Sequence, residues 1–163
     1  MNLFRIIGKI IKTFTELGME WHKDVLEYET KGKGMTKINA GVEALIKKWK
    51  VNEGICFLYI PHVSASLTIS EGFDPPARAD VENFYERLVP ENQPWFEHTI
   101  EGSDDSPSHI RSTLTQSSLS IPIDNGCLTL GIWQGIYLFE HRTHHAEQKG
   151  MPRKVYVRFL KVS

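Results

Sequence analysis

The chain has 163 residues, a hydrophobic fraction of 40%, and 19 Lys and Arg against 20 Asp and Glu, for a formal charge of -1. That length and apolar content suit one compact domain with its own core. The near-neutral balance excludes wholesale wrapping of nucleic acid, which needs a concentrated basic surface, and leaves room for a local anion site.

Residues 1–18 read apart from the rest. Leu3, Ile7, Ile10, Phe14 and Leu17 recur at spacings of four and three, with Arg5, Lys9 and Lys12 between them. The pattern predicts an amphipathic helix too short to stand alone. Three readings fit: a helix packed on the domain or between subunits, ranked first here, a basic membrane-surface helix, or a stretch upstream of the true start. Residues 1–19 are therefore set off as an N-terminal extension and 20–163 as the domain. No apolar run approaches the roughly 18 residues of a membrane-spanning helix, and no signal peptide stands out, so a soluble cytoplasmic protein is expected.

Residues 19–31, with WHKDVLEYET, predict a strand, and the glycines within 32–34 a loop. Asn39 is expected to cap a helix whose Val42, Leu45, Ile46 and Trp49 repeat at i, i+3, i+4 and i+7. A buried strand starts at Gly54. The stretch YIPHVSASLTISEGFDPP, from Tyr59 to Pro76, then sets His62, Ser64, Ser66, Thr68 and Ser70 at alternate positions. An extended chain puts them on one face and Val63, Ala65, Leu67 and Ile69 on the other. Cys56, Leu58 and Ile60 hold the same parity upstream, so a face that starts apolar turns polar at His62. That transition is expected where a buried strand opens into a pocket, and it weighs against a plain solvent face.

Asp74 reads as an N-cap with Pro75 at the first helical position, ahead of an apolar stripe of Val81, Phe84, Tyr85 and Leu88 that ends near Pro90. Residues 91–105 form a polar, aromatic loop in this reading, and 106–109 start a short helix running toward Gln116. Three strand-like runs close the chain, 118–123, 127–141 and 154–162, with Asn125-Gly126 as a hairpin turn between the first two. Cys56 and Cys127 sit in apolar runs outside any CxxC pair and are expected as small buried hydrophobes. The fold class expected is α+β, an antiparallel β-sandwich-like domain with two main packing helices.

Four groups of residues have chemical potential. The first is His62 with the hydroxyl row, Glu71 and Asp74, where hydroxyls suit a phosphate and the imidazole and carboxylates suit proton transfer or a metal. The second is His98 with His109, at a spacing unlike any metal motif but with His109 near a helix start that favours an anion. The third is Gln134 in GIWQG with Glu140 beyond it, where a buried amide either ties the fold together or faces a ligand. The fourth, HRTHH at residues 141–145, reads as a histidine-rich surface loop. A serine nucleophile carries little weight, because i, i+2 neighbours on a strand lie about 6.6 Å apart and no GxSxG elbow is present.

PHVSASLTISEGFDP, EGSDDSPSHIRSTL and LGIWQGIYLFEHR, in that order and spacing, closely resemble the YjbQ family from about Trp21 onward. The resemblance implies a small α+β domain built on an antiparallel β-sandwich, a homotrimer, and one pocket of shared polar residues. It also implies a weak activity as a secondary thiamine-phosphate synthase. Carried over by position, the implied catalytic residues are His62, Glu71, Asp74, His98 and His109. Ser64, Ser66, Asp80, Gln134, Glu140 and Arg153 are expected to bind substrate, and His62, His98 and His109 to form a metal set for a divalent ion, Mg or Zn. The partner expected is a small phosphorylated metabolite. Three departures stand out: Ser70-Glu71 for the family's Asn-Glu, Ile132 for Thr in Gly-Thr-Trp-Gln, and a longer path from Glu140 to Pro152-Arg153. The alternatives are a metal-dependent hydrolase of a small phosphorylated or acyl metabolite, and a non-enzymatic trimeric module that binds a small anion or metabolite.

Overall fold

A computed structural model describes residues 18–143 and 151–162, so the helix expected over residues 1–18 lies outside the described residues. In chain order the elements are β1 (Met19–Thr30), β2 (Gly34–Lys37), α1 (Asn39–Trp49), β3 (Glu53–Tyr59), β4 (Ala65–Glu71), α2 (Pro75–Leu88), α3 (Asp105–Leu114), β5 (Ser118–Asp124), β6 (Cys127–Leu128), β7 (Gln134–Glu140) and β8 (Met151–Val162). All strand pairings are antiparallel. One sheet has the order β1-β8-β3-β5-β6 and the other β2-β7-β4.

Alternation decides which face of each strand is buried. Cys56 and Leu58 of β3, Ile121 and Ile123 of β5, and Val155, Val157 and Phe159 of β8 point inward from the five-stranded sheet. Ala65, Leu67, Ile136 and Leu138 answer from the three-stranded sheet, and Val42, Leu45 and Ile46 of α1 close the same core. Burial pushes the Cys56 thiol up to about 12. Asn125 and Gly126 take positive φ of 52° and 74°, the two-residue turn that an Asn-Gly pair favours. No helix among the described residues is long and apolar enough to cross a membrane.

Several expectations need correction. α1 starts at Asn39 itself with no side-chain cap; the Asn39 amide oxygen instead accepts the Ile136 N–H at 2.8 Å and ties the helix to β7. β2 was hidden because four residues, Gly-Met-Thr-Lys, carry no alternation, and only pairing with β7 makes them a strand. The run 127–141 is two strands, broken by a turn in which Gln134 N–H donates to Gly131 O and Gly131 N–H donates to Gln134 Oε1, both at 2.8 Å. Cys127, at a hairpin end, is exposed.

The second predicted helix departs from its expected packing. Asp74 holds the N-cap position and Pro75 follows it, but no residue of α2 is buried, and Phe84 and Leu88 of its stripe face solvent. α2 instead lies over the outer face of the three-stranded sheet. Tyr85 packs edge-on against Phe139 with centroids 5.6 Å apart, and Arg78 lies over the Tyr137 ring. Of the two packing helices expected, only α1 joins the core.

Candidate active site

The first turn of α3 brings Asp105 and His109 onto one face, because residues four apart on a helix are neighbours. His98 reaches the same point from the preceding loop. His98 Nε2 lies 2.6 Å and His109 Nε2 3.2 Å from Asp105 Oδ2, and one ligand atom from each residue falls within 4.8 Å of the others. The imidazoles are partly open to solvent, whereas the Asp105 carboxylate is buried. Both nitrogens stand at ion-pair distance, yet Oδ2 accepts no aligned hydrogen bond, an unusual state for a buried oxygen and one that a cation resolves. His109 Nδ1 faces the Val63 carbonyl at 3.1 Å, which fixes the proton there and turns Nε2 to the cluster.

This donor set tests which ion fits. Two imidazole nitrogens and one carboxylate oxygen, open on one side, match the three-ligand arrangement in which zinc keeps a place for water or substrate. Magnesium, which prefers oxygen throughout, suits the set poorly.

Arg142 fixes the acids. Its guanidinium donates to Asp105 Oδ1 through Nη1, to Asp104 Oδ2 through Nε at 3.0 Å and to the Glu101 carbonyl through Nη2 at 2.8 Å. Burial pushes the Asp104 carboxyl up, but the Thr143 N–H and Arg142 overcome it and hold the group below its ordinary range. Residues 141–143 are therefore not the surface loop expected; the remainder of that motif lies outside the described residues.

His62 does not join His98 and His109. Its Nε2 accepts the Lys154 backbone N–H at 3.0 Å, and its Nδ1 stands 3.4 Å from Arg153 Nη1. Burial first and the Arg153 charge second lower its pKa, which disfavours the charged ring. Arg153 in turn forks onto Glu140 at 2.6 and 2.7 Å and donates to Ser64 Oγ at 3.0 Å. Glu140 also accepts from the Thr30 hydroxyl and from the His141 and Arg142 N–H groups. Burial raises the Glu140 pKa, but these donors, led by Arg153, bring it below the usual value. The pair joins the two sheets at one end, with Arg153 on β8 and Glu140 closing β7.

The hydroxyl row does not line an open pocket. β4 begins only at Ala65, so His62 and Ser64 lie in the connection that precedes it and Val63 is exposed. Ser66 is fully buried, with Oγ 2.9 Å from Nε2 of the equally buried His141. Burial drives the His141 pKa down to about 4. Arg111, also buried, forks onto Glu86 at 2.7 and 3.0 Å and donates to Val89 O. This polar layer lies beneath α2 and α3.

Glu71, Asp74 and Gln134 lie at the opposite end of β4. Glu71 pairs in register with Gln134, and its Oε1 accepts the Phe73 and Asp74 N–H groups at 2.7 and 3.2 Å. The Phe73 N–H chiefly lowers the Glu71 pKa. Gln134 closes its own turn, so the reading in which it ties the fold describes it. Asp80 stands exposed on α2. Six strand steps from Ala65 to Glu71 separate the two ends by about 20 Å, so one protomer does not gather the predicted site residues into a single cavity. A shallow concavity of about 750 Å³ lies at the histidine end, lined by His62, Val63, Ala65, His109, Ser112 and Thr115 among others.

Asp105 and Arg142 were absent from the predicted set. The Asp105–His109 spacing of four was the available signal, and the Arg after Glu140-His141 was the other.

A family model described as UPF0047 protein YjbQ-like matches residues 24–162. The chain is 44% identical over 121 residues to a UPF0047 protein of Synechocystis sp., covering 74% of this chain and 82% of that one. It is 39% identical over 130 residues to UPF0047 protein YjbQ of Escherichia coli O157:H7, covering 79% and 94%. Among solved structures, a conserved hypothetical protein of Thermus thermophilus aligns with a TM-score of 0.71 at 31% identity, over 82% of this chain and 97% of that one. This chain belongs to the UPF0047 YjbQ-like family.

Proposed function

We propose that this protein is a cytoplasmic, homotrimeric, metal-dependent enzyme acting on a small phosphorylated metabolite. Its secondary activity in this proposal is thiamine-phosphate synthesis. The observation that carries the proposal is the convergence of His98, Asp105 and His109 around a buried carboxylate oxygen without an aligned donor. The reaction breaks the bond between the pyrimidine methylene and the diphosphate oxygen. The thiazole nitrogen supplies the electron pair of the new C–N bond, and pyrophosphate departs with the electrons of the old one. His98, Asp105 and His109 would hold a divalent cation, which would supply positive charge to the phosphate oxygens.

The chain's own groups do the rest. His62, its Nε2 held by the Lys154 N–H, lines the concavity where a phosphate would sit. Arg142 keeps Asp105 oriented with Oδ2 turned to the imidazoles. Arg153 and Glu140 neutralise each other and hold the Ser64 turn in place.

The open side of the same centre favours a second reading, metal-assisted hydrolysis of a phosphorylated or acyl metabolite. One assay separates them. Incubation with hydroxymethylpyrimidine diphosphate, thiazole phosphate and zinc or magnesium is expected to yield thiamine monophosphate, falling to background in Asp105→Asn and His109→Ala. Phosphate release from a simple phosphomonoester without joining would favour the hydrolase. Retention of a ligand with neither reaction would leave a binding module and overturn both.

A further inference from the structure

The outer face of the five-stranded sheet is apolar. α1 fills the inner side of that sheet and α2 lies on the other sheet, so among the described residues no helix covers this face. The register across β1, β8 and β3 sets Trp21, Leu160 and Ile55 in one row and Val25, Tyr156 and Tyr59 in another, with Lys23, Arg158 and Phe57 in the row between. Alternation turns all of them away from the core. Trp21, Val25 and Tyr59 are exposed, and the other apolar side chains of the face are half-buried. Their rings already touch: Trp21 and Phe57 have centroids 6.1 Å apart, and Tyr59 and Tyr156 6.4 Å. Arg158 lies over the Tyr156 ring and donates to the Asp24 and Val157 carbonyls at 3.0 and 2.7 Å. A planar, weakly hydrated guanidinium held in this way can be covered without losing its partners. A contiguous apolar face of this kind marks a contact surface.

The chain outside the described residues joins the domain at this face. Gly18 takes a φ of 67°, the left-handed region open to glycine, just where β1 begins. β1 is an edge strand, and a hollow of about 210 Å³ lies beside its start, against Met19, Trp21 and Leu160. Residues 1–17 carry the matching surface. Leu3, Ile7, Ile10, Phe14 and Leu17 share one side of a helical pattern, and Arg5, Lys9 and Lys12 share the other. Charge decides which side docks: the basic side would meet Lys23 and Arg158, whereas the apolar side meets aromatic rings and leaves its own cations in water. Length suffices as well, because residues 1–17 as a helix reach about 25 Å and the four strands from β1 to β5 span about 14 Å. A segment tethered at the edge of the face meets it at high effective concentration, ahead of a second copy.

We propose that residues 1–17 form a helix whose apolar stripe packs across the outer face of the five-stranded sheet of the same chain. The helix, too short to hold its shape alone, gains a surface, and the sheet gains the cover that α2 gives the other one. Trp21 and Phe57 then leave water, and the face is closed to other chains. The segment precedes the family match, which begins at residue 24, and the contact uses none of His98, Asp105 and His109. Each of the two readings therefore stands or falls alone.

Photo-cross-linking tests the contact in the full chain. Photoreactive benzoylphenylalanine replaces Ile10 on the stripe or, in a second protein, Lys9 on the basic side. Irradiation of the first is expected to join position 10 to peptides covering residues 21–25, 55–59 or 154–160, in a product that runs as one chain on a denaturing gel; the second is expected to give no such product. Joining between two chains would assign the face to a second copy and overturn the proposal, as would no product on that face or equal products from both positions. Thiol modification supplies the second measurement. In a Cys127→Ser background, Lys23→Cys is expected to react several-fold more slowly with the native segment than with Ile7→Glu/Ile10→Glu, and equal rates would overturn the contact. Co-sedimentation of the full chain with vesicles of mixed neutral and anionic phospholipid, lost in Ile7→Glu/Ile10→Glu, would assign the stripe to a membrane instead and equally overturn it; the expected result is protein left in the supernatant.

Discussion

His141 makes the fold sensitive to mild acid in a way that can be measured. Its ring is buried between Phe139, with centroids 4.4 Å apart, and Ser66, and burial brings its pKa from 6.5 to about 4. Glu140 opposes that shift, while Arg111 and Arg153 add to it. Between those two values the unfolded chain binds a proton that the folded chain refuses, so stability rises with pH there and is lost as pH falls below 6.5. The full span amounts to about 3 kcal/mol, of which about 2 kcal/mol is lost between pH 7.5 and pH 5. Urea denaturation of wild type and His141→Gln at both pH values checks this. The Gln amide keeps a donor for Ser66 but does not titrate. Wild type is expected to lose about 2 kcal/mol more than the variant. Equal losses in the two proteins, or a folded-state His141 ring that titrates near 6.5, would refute the reasoning.

Other consequences follow from the same network. Arg153→Met leaves Glu140 buried without its main partner and is expected to cost about 3–5 kcal/mol in chemical denaturation, most of it recovered in the Arg153→Met/Glu140→Leu double variant. Arg142→Ala releases the Asp105 carboxylate and is expected to weaken zinc binding by roughly 10–100-fold in competition titration with a chelator. A thiol reagent is expected to modify exposed Cys127 readily and Cys56 only on unfolding, since that thiol is buried with its pKa raised to about 12.

Most strands were legible because their residues alternate toward a shared core. Leu58 and Cys56, Ile121 and Ile123, Val155 and Val157 each announce an inward face, and Asn125-Gly126 states its turn through backbone preference alone. β2 was not legible, since four residues without alternation become a strand only through β7. The break at Gly131–Gln134 was hidden by apolar Ile132 and Trp133, which read as strand interior but stand in solvent on a turn.

The candidate site was legible in its members and not in its grouping. His98 and His109 were paired as candidates and meet at Asp105, which the reading left in the preceding loop although it stands four residues before His109 on the same helical face. His62 was assigned to the same set, but the Lys154 N–H and Arg153 hold it in a different one. Ser66 looked like part of an open row, yet α2 and α3 cover that face and leave it paired with His141. Long-range contacts of this kind, 75 residues apart for Ser66 and His141, carry no local signature.

Metal analysis of protein purified without an affinity histidine tag tests the central claim most directly. The account predicts close to one zinc per chain in wild type, lost in Asp105→Asn and in His98→Ala but kept in His62→Ala. Wild-type protein that binds no zinc when zinc is supplied, or that keeps its zinc after Asp105→Asn, would contradict it.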